Sequence, residues 1–558
     1  MRVTVTARWI FLSALLIFAA TGGGRIVGSD EVSMFELDRA ILHGRIDVPE
    51  GATLQGPDGR FYTKNAAGQA LLALPLAGVA RLATDATHLA PARRELAERF
   101  VMSFFNAIVT ALLLATFYRI ARRFGSGTGA ALAATAMLGF TTPLWVYAKS
   151  FMAEPVEALG LLLALAGATF ADQRGWRWAG ALGVLITVSS KLGMLPFALI
   201  AMLPLVAFPW RVRAPFLAAL VVVLAGHFAY DVARFHTPLE TGYGRQATPA
   251  AYGTPLWVGL YGLLLSSGKG VVWFAPVLLL APAGWRRLHR MHREPRPMPV
   301  LARRAAERLR GWLPEWLRPT LTREVPEKKW EDLRRAAPAI VIQWALALLL
   351  YGTFEHWAGD GSFGPRYLIP FLAPAFLLVM VALQHPSRAL RRTAQVLALA
   401  GLLVQVGGVG IHFGAQMREA GDYPYTRALS DPRFMSESHF NPAFSPILGH
   451  WRMLVRNTRE HLRGERPRLE SVGGASAASA TGGAGATSAS PDTTRATEQR
   501  IGISAADQSR LLHALDLWWL YAAYAGLPGA PLAAVATLIA AFGIASAMRA
   551  RAAARREA

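Results

Sequence analysis

An acidic pair, Asp30-Glu31, follows directly on an apolar N-terminal stretch. Carboxylates at the mouth of a membrane are costly unless they have a task. Set beside a hydroxyl, such a group can take its proton, and the cations at comparable places, Lys64, Lys269 and Arg366, could hold an anion. Arg366 is the most informative of them. Gly364-Pro365 sets a helix start, and a cation in the first turn opposes the helix dipole. An anion should compensate it, either a ligand's or a carboxylate such as Glu355 or Asp360. Lys269, between two glycines, reads either as a ligand cation or as a snorkelling lysine, and Lys64 either as a ligand cation or as a solvated loop lysine. Asp30 is either a reactive carboxylate or a helix N-cap. As a cap it would put Ser33 where a capping box wants Glu or Gln, and Glu31 would stay unexplained. Glu154, beside Pro155, is either functional or a favourable first-turn carboxylate. Lys149, Asp231 and Arg234 complete the charged set expected on the same side.

The elements that must position these groups are legible around residues 28–74. From Glu31, Met34, Leu37 and Ile41 share one helical stripe and Glu36, Arg39 and His43 another, and Gly44 offers a stop. The pattern predicts an amphipathic helix lying on the membrane surface. Gly56-Pro57-Asp58-Gly59 predicts a turn. Tyr62-Thr63-Lys64 then leads into a second apolar helix at 68–79.

Apolar residues make up 53% of the 558 and charged ones 17%, values of a multi-pass membrane protein. Spans of about 20 apolar residues are expected near 9–20, 100–118, 128–147, 154–171, 178–190, 192–208, 214–230, 271–283, 336–354, 367–383, 394–413 and 531–548. The fold class is therefore all-α and polytopic, with about twelve transmembrane helices and a structured first outer loop. The net charge of +22 gathers as arginine in alternate loops, which speaks for topology and against nucleic acid as partner. Both termini then lie in the cytoplasm, and the charged set lies outside. The absence of cysteine excludes disulfides and cysteine-ligated metal centres. Richness in Ala and Arg suggests a bacterial source, so the membrane would be the inner one. Residues 1–450 read as one transmembrane region, with a first outer loop at 25–98 and a basic cytoplasmic loop at 286–335. Within that loop 301–317 should form an interfacial helix. Residues 451–510 read as a linker, of low complexity at 473–492. An interfacial helix, a last span and a basic tail follow at 511–558. GSGTGA at Gly125 lacks the strand a dinucleotide loop requires and reads as a turn, and GLLLSSGKG at Gly262 has the wrong spacing for a phosphate loop.

The order of first span, Asp30-Glu31, Tyr62-Thr63-Lys64 before a re-entering helix, and Glu154 in the next outer loop resembles the GT-C class of integral-membrane glycosyltransferases. It is similar in particular to bacterial relatives of the protein O-mannosyltransferases and of the aminoarabinose transferases that modify lipid A. YDVARFHTPLETGYG from Tyr230, LLLSSGKGVVWFAPVLLL from Leu263 and GDGSFGPRYLIP from Gly359 resemble stretches of family-39-like, phospholipid-carrier-dependent members. One departure is Asn65-Ala66-Ala67, where the aminoarabinose transferases have prolines. The resemblance implies a GT-C-like bundle, a polyprenyl-phosphate sugar as donor and a hydroxyl of a glycan, lipid or protein as acceptor. It implies no cofactor and leaves a divalent metal open. Asp30 would be the general base and Glu31 its support or the acceptor's guide, with Tyr62, Lys64, Glu154, Lys269 and Arg366 around the substrate. Two rival readings remain: a polymerase or ligase of lipid-linked glycans, and a transporter or flippase. The latter should show charged breaks in mid-membrane, whereas the charges here cluster near span ends, with Ser189-Ser190-Lys191 the main exception.

Overall fold

The computed structural model describes residues 2–50, 53–290, 330–422, 436–469 and 509–557. The helix expected at 301–317 and the low-complexity stretch at 473–492 lie outside them. The protein is an all-α polytopic membrane protein. Its helices are α1 (Arg2–Ala20), α2 (Ser29–Ile41), α3 (Gly68–Asp85), α4 (Pro91–Met102), α5 (Phe105–Arg123), α6 (Thr128–Phe140), α7 (Leu144–Tyr147), α8 (Glu154–Thr169), α9 (Arg174–Ser190), α10 (Leu195–Ala201), α11 (Trp210–Phe235) and α12 (Leu256–Leu265). They continue as α13 (Val271–Phe274), α14 (Ala281–Arg290), α15 (Glu331–Thr353), α16 (Leu372–Leu383), α17 (Arg388–Gly410), α18 (Phe413–Glu419), α19 (Ser436–Phe440), α20 (Pro446–Leu462), α21 (Trp518–Tyr524) and α22 (Gly529–Glu557).

Among the described residues, seven helices are long and apolar enough to cross a membrane. Other expected spans are interrupted where proline removes an N–H and crowds the preceding turn. The run 128–147 breaks at Thr141-Thr142-Pro143 between α6 and α7, and 271–283 breaks into α13, a 3-10 turn at Pro276–Leu280, and α14. Residues 192–208 become Leu192–Met194, α10 and Leu203–Ala207. The α8 and α9 helices are shorter but lie in the core, joined across a glycine face. A Cβ on Gly183 would stand 2.5 Å from the Ala164 nitrogen, and one on Gly160 2.5 Å from the Thr187 hydroxyl, the close approach by which spans associate without a hydrophobic drive.

The first outer loop holds α2, a two-stranded hairpin, α3 and α4. The hairpin pairs β1 (Leu54–Gln55) with β2 (Phe61–Tyr62) antiparallel, Leu54 opposite Tyr62. Its turn contains Gly59 at φ +78. Both stripes of α2 are covered by protein, since Glu31 to Asp38 and Ala40 are all buried. Its polar stripe meets α4: Arg39 reaches Glu36 (3.3 Å), Glu95 (3.6 Å) and Glu98 (3.2 Å). Arg99 reaches back to the Ile26 carbonyl at 3.0 Å.

The linker expected from residue 451 is corrected at its start, because α20 continues to Leu462 with Met453 and Asn457 buried. The interfacial helix expected from 511 is a 3-10 turn at Leu511–His513 followed by α21.

Candidate active site

The start of α2 decides what Asp30 can do. Gly28 is the N-cap, and Glu31 accepts from the Gly28 N–H at 2.8 Å with one oxygen and from the Phe151 N–H at 2.6 Å with the other. Glu31 thus supplies the third-position half of a capping box and ties α2 to the α7–α8 connection. Asp30 is not the cap. Its carboxylate lies 2.9 Å from Arg366 Nη2 and 3.6 Å from Lys64 Nζ. Arg366 in turn donates through Nε to Glu154 at 2.5 Å. The anions that compensate Arg366 are therefore Asp30 and Glu154. Glu355 pairs instead with Arg245 at 3.3 Å, and Asp360 with His356 at 3.2 Å.

Asp30, Lys64, Glu154 and Arg366 line a cavity of about 70 Å³ together with Glu157, Lys191, Tyr243, Gln246, His356 and Asp360. Burial pushes the Asp30 carboxyl up, but Lys64, Arg366 and Lys191 outweigh it and hold it well below the usual carboxylate range. His356 moves the other way. Burial lowers it, but its bond to Asp360 and the charges of Asp360 and Glu355 raise it above the ordinary imidazole value.

The loop carrying Lys64 is held from three sides. Asn65 donates to Ser33 Oγ at 2.8 Å and to the Asp30 carbonyl at 3.3 Å, and accepts from Tyr243 at 3.3 Å. Asn65 thus docks Lys64 onto α2. From α11, Arg234 donates to the Thr63 carbonyl at 2.5 Å and to Asp231 at 2.6 Å. Asp231 and Arg234 position the loop and do not line the cavity.

Two expected substrate residues are placed elsewhere. The Tyr62 hydroxyl donates to Asp58 at 2.6 Å, within the hairpin, and its ring packs edge-on to Phe235; Tyr62 does not line the cavity. Lys269 is fully buried and does not snorkel. It donates to the Asp360 carbonyl at 2.9 Å and the Ser362 carbonyl at 2.5 Å. Those bonds hold the 359–366 loop, where Asp360 sits at φ +50, a strained conformation for a residue with a side chain. Lys269 is the brace of the loop that presents Asp360 and Arg366.

Glu157, Lys191 and His356 were missed as site residues. Glu157 follows Glu154 by one turn, so both share a face of α8. Lys191 ends α9 in an extended conformation at φ −162, over the Tyr367 ring. Its signal was the Ser189-Ser190-Lys191 break. His356 stands four residues before Asp360, a spacing that carries little information alone. Among the described residues, no group of three His, Asp or Glu side chains is placed to hold a metal ion.

A second cavity, of about 210 Å³, lies beyond Glu31. Lys149, expected with the site cations, points there and pairs with Asp516 at 2.8 Å.

No known protein family and no curated protein matches the sequence. Among solved structures, the chain is similar to ArnT from Cupriavidus metallidurans. The crystal structure of that protein bound to undecaprenyl phosphate has 13% identity, covers 90% of this chain and 86% of the other, and gives a TM-score of 0.45. Its apo-state structure has 14% identity, coverages of 82% and 81%, and a TM-score of 0.42. Overlap at this level leaves the functional reading to the geometry of the cavity.

Proposed function

We propose that the protein is a membrane glycosyltransferase that moves a sugar from a polyprenyl-phosphate donor to a hydroxyl acceptor at the outer face of the cytoplasmic membrane, with both chain ends inside. The observation that carries this reading is the cavity itself, which brings Asp30, Glu154 and Glu157 together with Lys64, Lys191 and Arg366. The acceptor hydroxyl gives its proton to the Asp30 carboxylate as its oxygen attacks the anomeric carbon. The bond from that carbon to the phosphate oxygen breaks, and polyprenyl phosphate leaves with the electron pair. Lys64 and Arg366 stabilise the growing phosphate charge. In the resting site these two cations engage Asp30 and suppress its basicity. A donor phosphate that takes them over returns proton affinity to Asp30 when an acceptor needs it. Glu154 holds Arg366 by its Nε, leaving the outer nitrogens to divide between carboxylate and phosphate. Glu31 supports Asp30 by fixing the first turn of α2.

The test is incubation of purified protein with a panel of polyprenyl-phosphate sugars, scoring sugar release and transfer, beside Asp30→Asn. Turnover should fall about 10²- to 10⁴-fold, as for a lost general base, with donor binding kept or tightened because Asn does not compete for the cations. Consumption of no sugar donor, or near wild-type turnover in Asp30→Asn, overturns the reading. The charged break at Lys191 favours a carrier as second reading. Movement of a lipid-linked substrate across proteoliposomes without sugar release would establish it.

A further inference from the structure

The α20 helix divides into three faces. At about 100° per residue, Gly449, His450, Met453, Asn457 and His461 form one arc, and all are buried. Leu448, Val455 and Leu462 form a second, exposed by 55%, 42% and 84%, with Trp451 at its edge. Between them runs a third arc of Arg452, Arg456, Arg459 and Arg463, which with Trp451 and Val455 borders a groove. Glu460 also lines this groove, reaching Arg456 at 4.0 Å and His513 at 2.9 Å, and Arg456 meets Glu419 at 3.5 Å. Arg459 and Arg463 pair with no acidic side chain among the described residues.

A merely solvated basic face would need no exposed leucines beside it. Apolar and arginine sectors side by side are the build of a helix lying at acyl-chain and phosphate depth. The contacts of α20 agree. The Trp451 indole donates to the Leu403 carbonyl of α17 at 3.0 Å, and on α17, one of the candidate spans, Val396, Leu399 and Leu403 are exposed by 66%, 58% and 45%. At the start of α20, Ser445 donates to the Ser267 carbonyl at 2.7 Å, and Gly268 donates to the His439 carbonyl at 3.0 Å. These bonds fix α20 beside the Lys269 loop, at the end of the bundle that holds the Asp30 cavity. On the topology proposed above, arginines there lie on the side the positive-inside rule disfavours, which calls for an anionic partner.

We propose that Arg452, Arg456, Arg459 and Arg463 of α20 form a binding surface for the phosphate headgroups of anionic lipids in the leaflet that borders the active site. Guanidinium forks match phosphate oxygens, and the neighbouring leucines take the acyl boundary. The surface does not depend on the transfer reaction.

The test uses the full chain in nanodiscs of phosphatidylcholine with or without phosphatidylglycerol. Retained phosphatidylglycerol is counted by native mass spectrometry, and amide exchange is followed over 446–463. The wild type should retain phosphatidylglycerol and gain protection in its presence. The triple variant Arg452→Gln, Arg459→Gln, Arg463→Gln should bind it about a hundredfold more weakly, at about fivefold per arginine near an anionic surface, with an unchanged melting temperature. The Lys versions should keep most of the binding. Equal retention by wild type and triple variant overturns the proposal. So does protection that is the same in both lipids, which would mean that another part of the chain covers the arginines.

Discussion

At the scale of single residues, the site turns on the two bonds that Arg366 makes through different nitrogens, to Glu154 and to Asp30. Lysine has one point charge and cannot hold both, so Arg366→Lys should weaken donor binding about tenfold and lower the melting temperature modestly. Arg366→Ala leaves two carboxylates facing each other and should lose about 3–5 kcal/mol. Unchanged donor affinity in Arg366→Lys, read by titration with polyprenyl phosphate, removes Arg366 from the donor site. His356 gives a pH test. Its folded proton affinity lies above the unfolded value because Asp360 and Glu355 outweigh burial. Its contribution to stability is therefore complete below the unfolded pKa of about 6.5 and is lost as pH rises through the folded value. The melting-temperature gap between wild type and His356→Gln should be largest below about pH 6.5 and close as pH rises through the folded value; a gap independent of pH excludes the charged dyad. Of the cavity residues, Arg366 was legible because a first-turn cation opposes the helix dipole, and Asp30, Lys64 and Glu154 through their order along the chain, each with an ordinary local reading beside it. His356 and Glu157 were not, since a histidine in a loop and a second first-turn acid break no local rule. Tyr62 and Lys269 misled because sequence order shows that a group is near the site but not which way it points.

At the scale of elements, the α8–α9 pair sets the wall from which Glu154, Glu157 and Lys191 project. Gly183→Val places a branched side chain against the Ala164 nitrogen and the Gly160 carbonyl, 2.5 and 2.6 Å from its Cβ. Neither backbone atom can retreat without parting the helices. The variant should lose about 1–3 kcal/mol and, by tilting Lys191 away, most of its donor binding. Gly193→Ala, whose Cβ would meet nothing within 4 Å, is the control and should match wild type. Melting curves on the pair decide between a shared helix face and a merely tolerant loop. Hydropathy located these two helices because their apolar windows are continuous, although neither is long enough to count among the seven candidate spans. It could not show where other spans break, because proline permits either a kink or a full interruption and the neighbouring helices choose. The α20 helix escaped notice for a related reason: its buried face is made of glycine, histidine, methionine and asparagine rather than aliphatic residues.

At the scale of the whole molecule, the two ends of the chain meet at Asp516. This carboxylate binds Arg25 through Nε at 2.9 Å and Lys149 at 2.8 Å. Burial raises its proton affinity, but Arg25 and Lys149 bring it far below the usual range, so it stays charged at any neutral pH. Close by, Trp518 donates to the Gly22 and Ala19 carbonyls at 2.9 and 3.0 Å. A Cβ on Gly24 would strike Trp518 at 2.5 Å. The segment from 509 onward therefore clamps residues 20–28, the link between α1 and the first turn of α2, and through that turn it sets the place of Asp30. Asp516→Asn leaves two half-buried cations, Arg25 and Lys149, without their shared carboxylate. It should lose about 3–5 kcal/mol, and adding Lys149→Met should restore part of this by removing one orphaned charge. Turnover should fall as well, at temperatures where the variant is fully folded, although Asp516 does not line the Asp30 cavity. Melting curves and transfer rates on the single and double variants test the clamp. If Asp516→Asn melts lower but turns over at the wild-type rate, the C-terminal segment stabilises the bundle without positioning the active site.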